Sequence, residues 1–382
     1  MINCFAEIKI DFVRSVHSLL LFCFLIPLNT FAQPNSFSRP LRLAVAGTSH
    51  GHSGWILGKK DSSQVVVAGI FETNAVLVDK HLKRYGLPAN LFYKNLEQML
   101  DAVKPEAVVA FGSIYEHLAV VEACAPRGIH VMVEKPLAVS LEHALKMEML
   151  AKKYKIHLLT NYETSWYPTT IKSYRLVNDS NAVGSIRKVV VHDGHQGPRE
   201  IGVSKEFFEW LTDPVKNGAG ALVDFGCYGA NLMTYLMKGQ VPKSVTAVTR
   251  QFKPQIYPKV DDDATIIVNY TDAQCIIQAS WNWPFSRKDM EVYGDKGYVI
   301  AVNNNILRTR FEKESAEKTT MVTKEEVQVY TDPFVYLQAV VRKTITVSTH
   351  DVYALENNMT VVRILEAAKQ SAKSGKLVLL KK

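Results

Sequence analysis

Residues 130–140 read HVMVEKPLAVS, an apolar run that ends on Glu134, Lys135 and Pro136. In an open parallel α/β sheet, ligands sit just beyond the carboxyl ends of the strands, so a lysine there points into the crevice. Pro136 fixes its own φ and pushes Lys135 towards extended backbone, which stiffens the turn. Taken alone, the triplet also describes a surface lysine after a buried strand. The flanking segments decide between these readings.

Upstream, residues 41–46 (LRLAVA) form a buried strand running into Gly47, Thr48, Ser49, His50, Gly51 and His52. A helix is expected over 54–60, then a second strand over 65–71 that closes on Glu72. A tight turn, a helix start for the pyrophosphate and an acid for the adenosine ribose make a dinucleotide-binding βαβ unit. Glu72 accepts hydrogen bonds from ribose hydroxyls and repels a 2′-phosphate, so NAD is favoured over NADP as cofactor. Ser49 and His52 stand where the second and third glycines of G-x-G-x-x-G belong. Ser49 is small enough for a phosphate to approach; His52 either tilts the helix or reaches towards the phosphates. A doubly wound turn without a ligand is the alternative.

Helices over 96–103, 118–127 and 141–154 alternate with strands over 107–111, 129–133 and 156–160, which argues for a parallel sheet. The second half reads differently. A strand over 186–192 and a glycine-rich segment, Gly218 to Tyr228, lead into a helix ending near 237. Asp224 and Tyr228, four apart, are expected on one helical face. Period-2 runs over 244–251, 264–270, 274–281, 289–293, 297–302 and 306–311 predict an open, mainly antiparallel sheet, and helices over 333–341 and 354–374 finish the chain. The expected architecture is an α/β Rossmann domain at 40–160, a doubly wound parallel sheet, followed by an α+β domain at 161–382.

The order of strand and Gly loop, acid-ended second strand, V-V-A followed by His117, and V-E-K-P-L resembles the Gfo/Idh/MocA family of NAD(P)-dependent sugar oxidoreductases. The likeness covers nearly all of 41–380. The family pattern G-G-x-L-x-D-x-G-x-H places a proton-transfer histidine where this chain has Tyr228, a replacement shared with its glucose–fructose oxidoreductase-like branch. The resemblance implies an NAD-dependent dehydrogenase acting on a hydroxyl of a sugar or glycoside. Tyr228, its pKa lowered by Lys135, would accept the hydroxyl proton, with Asp224 orienting Lys135. His117 and Glu134 would line the cofactor, and Tyr162, Trp166, His192 and Trp210 the substrate. Trp281 and Trp283 are further candidates for stacking on a sugar face. No metal is required, and the spacing of His192, Asp193 and His195 fits no standard zinc site. The second-domain sheet would also pair subunits into a homo-oligomer.

The 382 residues carry a net charge of +8 spread without a dense basic block, which argues against a nucleic-acid partner. Residues 18–28 (SLLLFCFLIPL) are too short to span a bilayer, and Thr30-Phe31-Ala32 precedes Gln33, so 1–32 read as a signal peptide with no lasting membrane anchor. Arg14 stands without a twin. The expected location is the periplasm or the exterior. Free NAD is scarce there, so a tightly bound cofactor is expected, and redox-neutral chemistry such as NAD-dependent glycoside hydrolysis is the main alternative. A non-catalytic sugar-binding protein is the other. Cys124, Cys227 and Cys275 read as buried hydrophobes.

Overall fold

In the computed structural model, residues 39–380 are described, apart from Ser315 and Val329. The expected signal peptide lies outside them. The amino-terminal sheet holds β1 (Leu41–Ala46), β2 (Val65–Phe71), β3 (Phe92–Tyr93), β4 (Ala107–Ala110), β5 (His130–Glu134) and β6 (Leu158–Asn161). Its order is β3-β2-β1-β4-β5-β6, with every pair parallel. β4 is buried throughout, as the continuous apolar runs require of a strand covered on both faces. The order reverses direction between β1 and β4, and at such a switch point the following loops diverge and leave a crevice. Gly47 lets the loops after β1 and β4 pack closely at their start. Its φ is +73°, and a Cβ there would lie 2.8 Å from the Gly112 backbone in the loop after β4.

The second sheet holds β7 (Ile186–Gly194), β8 (Ser244–Arg250), β9 (Asp263–Asn269), β10 (Gln274–Ser280), β11 (Arg287–Gly294), β12 (Gly297–Ala301), β13 (Ile306–Phe311), β14 (Lys318–Met321) and β15 (Val378–Leu379). Its order is β14-β13-β12-β11-β7-β10-β9-β8-β15, and among the described residues only β7 and β10 pair in parallel. The inner face carries Val189, Val191, Ile266, Ile277 and Val292 and is covered by the helices Gly226–Leu236 and Leu355–Ser374. Gly229 sets how close the first helix lies, because a Cβ there would meet the Ile277 side chain at 2.7 Å.

The chain does not stay on its own side of residue 160. Phe334, Tyr336, Leu337 and Val340 return to the core of the first sheet. The last helix packs Met359 and Val362 into the first domain and Val361, Ile364 and Leu365 into the second. The described residues accordingly form one compact unit. No helix among them is long and apolar enough to cross a membrane.

Candidate active site

The glycine loop is filled by aromatic side chains. His50 is buried and packs against His52, Phe207 and Trp210. Burial lowers its pKa to about 3, so the ring is neutral. Its Nδ1 accepts the His52 backbone N–H at 3.1 Å. His52 stacks on Trp55 with ring centroids 3.8 Å apart, and its Nδ1 lies 3.2 Å from Glu134 Oε2, an ion-pair distance without hydrogen-bond alignment. His52 therefore turns across the loop towards the end of β5. His50, His52 and Glu134 are close enough to surround an ion, but His50 Nδ1 is already an acceptor.

Glu72 sits at the end of β2 as expected, with its carboxylate turned onto the loop. Oε2 accepts from Thr48 N at 2.9 Å and Thr48 Oγ1 at 2.7 Å, and Oε1 accepts from Asn74 N. Ser49 Oγ accepts from Trp210 Nε1 at 3.0 Å. Trp210 is thus a correction to the expected stacking residue: Phe207 and His50 cover it, and it docks the helix Lys205–Leu211 on the glycine loop.

His117 begins the helix after β4, held there by the Ser113–Glu116 capping box. Its Nδ1 is 3.1 Å from the Leu137 carbonyl, which fixes the proton on that nitrogen and leaves Nε2 a buried acceptor without a partner. Burial lowers its pKa to about 4. Glu134 Oε1 accepts from Asn161 Nδ2, while Oε2 also lacks an aligned donor. Two buried acceptors without an aligned donor, His117 Nε2 and Glu134 Oε2, fit a ligand carrying hydroxyls, such as a nucleotide ribose.

Lys135 follows β5 with a cis bond to Pro136. Its ammonium donates to the Asp224 carboxylate and, at 2.9 Å, to the Asp224 carbonyl. That carbonyl is consequently lost to the helix. The helical turn Ala221–Asp224 stops, Phe225 intervenes, and Tyr228 N bonds to Phe225 O instead. Asp224 and Tyr228 are brought together by this break, not by one continuous helical face. The other carboxylate oxygen of Asp224 accepts from Trp281 Nε1 at 2.9 Å. Trp281 is wholly buried and so braces Asp224 instead of stacking on a sugar. Burial opposes ionisation of both partners, yet each keeps the other charged: Lys135 is raised above, and Asp224 lowered below, its usual value.

Tyr228 departs from expectation in its ionisation. Lys135 Nζ and Lys288 Nζ lie 5.2 and 5.0 Å from its ring centroid, over the ring. Burial, followed by the Glu163 carboxylate, raises the phenol well above its ordinary pKa. The net shift is therefore upward, although two ammoniums lie near the ring.

Lys288 was missed in the sequence, where β11 was expected to start one residue later; its ammonium pairs with Glu163. Two further expected substrate residues have partners within the protein. Trp166 packs against Tyr336 and Tyr353 and donates to Asn161 at 2.8 Å, so it props Asn161, and through it Glu134. His192 lies on the outer face of β7, bonded to Asp289 at 2.9 Å; strand alternation turns Asp193, not His192, inward. Tyr162 is buried edge-on against Tyr228, with centroids 5.4 Å apart.

A Rossmann strand order with its switch point between β1 and β4, joined to a buried Lys–Asp pair from two domains, defines the class: a dinucleotide-binding oxidoreductase fold with an α+β partner domain. Residues 41–162 match the family model described as "Oxidoreductase family, NAD-binding Rossmann fold", and residues 172–300 the GFO/IDH/MocA C-terminal domain. The chain belongs to the GFO/IDH/MocA oxidoreductase family. Among curated relatives, a trans-1,2-dihydrobenzene-1,2-diol dehydrogenase of Xenopus laevis is 28% identical over 196 residues, 50% of this chain and 54% of that one. A glucose-6-phosphate 3-dehydrogenase of Bacillus subtilis is 23% identical over 59% of this chain and 60% of its own. The matches span about half the length of the first of these relatives. In fold, the chain is similar to an aldose-aldose oxidoreductase from Caulobacter crescentus complexed with glycerol (TM-score 0.75, 21% identity, 90% of this chain and 100% of that one). It is also similar to an inositol dehydrogenase homolog from Azotobacter vinelandii complexed with NADH and myo-inositol (TM-score 0.76, 15% identity, 90% and 98%).

Proposed function

We propose that this protein is a nicotinamide-dependent oxidoreductase acting on a hydroxyl of a sugar, glycoside or related polyol, with NAD preferred to NADP. The observation that carries this reading is the buried Lys135–Asp224 pair beside Tyr228, at the carboxyl end of β5. The named activities and ligands of its relatives, diols, sugar phosphates and inositol among them, point the same way. Bound there, the nicotinamide ring supplies the hydride acceptor. Lys135, kept charged by Asp224, donates to the reacting oxygen and offsets the negative charge that grows on it. Tyr228 holds its proton in the free site, so it donates that proton to a carbonyl oxygen in reduction, and the phenolate this leaves takes the hydroxyl proton in the oxidation that follows. Glu72 supports the preference for NAD, since its carboxylate faces the loop where a 2′-phosphate would have to sit.

Export belongs to the same proposal and rests on residues 18–33. Outside the cytoplasm the cofactor would stay bound and each turnover would be redox-neutral. Homo-oligomerisation through the outer face of the second sheet is supported by Tyr293, Tyr298 and Trp283 on that face. The direct test is to denature the pure protein and identify the nucleotide released. NAD is expected, and adding sugar to the native protein should raise the absorbance of reduced nicotinamide. No nucleotide and no absorbance change would leave only sugar binding. Protein recovered from its host should begin at Gln33; an intact Met1 would overturn the export argument.

A further inference from the structure

Asp193 is 1% exposed, and neither carboxyl oxygen has a hydrogen-bond partner. It is the penultimate residue of β7 and shares the inner face with Val189 and Val191. Its cross-strand neighbour in β11 is Lys288, whose ammonium is committed to Glu163 and leaves Asp193 unanswered. Asp193 lines a small cavity with Thr164, Tyr167, Thr170 and Lys288, and the buried Thr164 hydroxyl lacks a partner too. The charges around it are Lys288, Asp289, Glu163 and Lys135, and it acts in turn on Cys227, next to Tyr228. Lys288, its cross-strand neighbour, lies 5.0 Å from the Tyr228 ring centroid, so Asp193 belongs to the surroundings of the Lys135–Tyr228 site.

Leaving a buried polar group unsatisfied costs about 1–3 kcal/mol, and native proteins carry few such groups without a functional reason. We propose that Asp193 is a specificity residue that grips a second, non-reacting hydroxyl of a neutral polyhydroxylated substrate. This rests on the function proposed above. The ligand is neutral because both nearby cations are already paired: Lys135 with Asp224, Lys288 with Glu163. A phosphate or carboxylate would find no free counter-charge there. Burial pushes the Asp193 carboxyl well above its usual range, and a protonated carboxyl both donates and accepts, as a hydroxyl does.

The test compares Asp193→Leu, Asp193→Ala and Asp193→Asn with the unmodified protein, using D-glucose and myo-inositol as probes. Thermal midpoint, NAD affinity, KM and kcat are the readouts. Removing an unsatisfied carboxyl should leave the midpoint unchanged or higher in Asp193→Leu or, where leucine is too bulky, in Asp193→Ala. NAD affinity should be unaffected. KM for the probe turned over should rise by about tenfold or more, the worth of one lost hydrogen bond to a buried group, with a smaller change in kcat. Asp193→Asn, which still donates and accepts, should recover most of the KM. A lower midpoint in Asp193→Ala with KM unchanged would make Asp193 a structural residue and overturn the inference alone. Unmodified protein that binds NAD but turns over neither probe, nor gains thermal stability from either, would overturn the proposed function and this inference with it.

Discussion

Asp224 and Asp193 are two buried aspartates of the second domain, held in opposite ways. Asp224 is saturated: it takes the Lys135 ammonium and the Trp281 N–H, and its carboxyl stays ionised despite burial. Asp193 has no donor, and burial pushes its carboxyl up. Full pairing keeps a charge in one place and one protonation state, which the preorganisation of the proposed site requires. An unanswered carboxyl stores interaction energy for a ligand. The two positions should respond oppositely to mutation.

The largest effect is expected from breaking the saturated end. Lys135→Met strands the Asp224 carboxylate in a buried site and should cost about 3–5 kcal/mol by urea unfolding, with loss of turnover. Adding Asp224→Leu to it should restore most of the stability and none of the activity. If the single variant is as stable as the parent, the pair is not buried as described.

Tyr228→Phe keeps the ring beside the two ammoniums, so folding and NAD binding should persist while turnover falls by about 10²–10⁴. Ultraviolet difference spectra should show no Tyr228 ionisation near the ordinary tyrosine value, in agreement with its raised pKa. Normal turnover in Tyr228→Phe would move the proton-transfer role elsewhere. A smaller effect is expected for Trp281→Phe, which deprives Asp224 of one donor: about 1–3 kcal/mol of stability.

The mildest probe is pH. His50, His117 and His130 have pKa values lowered by burial to about 3, 4 and 4. Between those values and 6.5 the unfolded chain binds protons that the folded chain refuses, so stability is full above about pH 6.5 and falls on acidification. His130 lies outside the site, hydrogen-bonded to His157 N, and His130→Gln should flatten part of that fall in thermal midpoint. An unchanged slope would show that His130 does not contribute.

Much of the first domain could be read directly because its causes are local. Continuous apolar runs set β1, β4 and β5, Gly47 set the turn, and E-K-P set the lysine at a strand end. Residue patterns also placed Asp224 and Tyr228 near one another, although for the wrong reason. The predicted strand at 186–192 stopped before Asp193, and that at 289–293 began after Lys288, so both inward-facing ends of the second sheet were missed. Strand ends lose the apolar alternation that identifies strands wherever polar residues face a site.

What the sequence determined by itself was the architecture and the places in it of a lysine, an aspartate and a tyrosine, since periodicity and turn residues act over a few positions. Pairing was decided only in three dimensions. Whether Trp281 braces an acid or stacks on a ligand, whether Lys135 tunes a phenol or answers a carboxylate, and whether Asp193 or His192 faces inward all depend on partners brought from distant positions. Those contacts follow from which strand lies beside which, and hydrophobic patterning along one segment does not encode that choice.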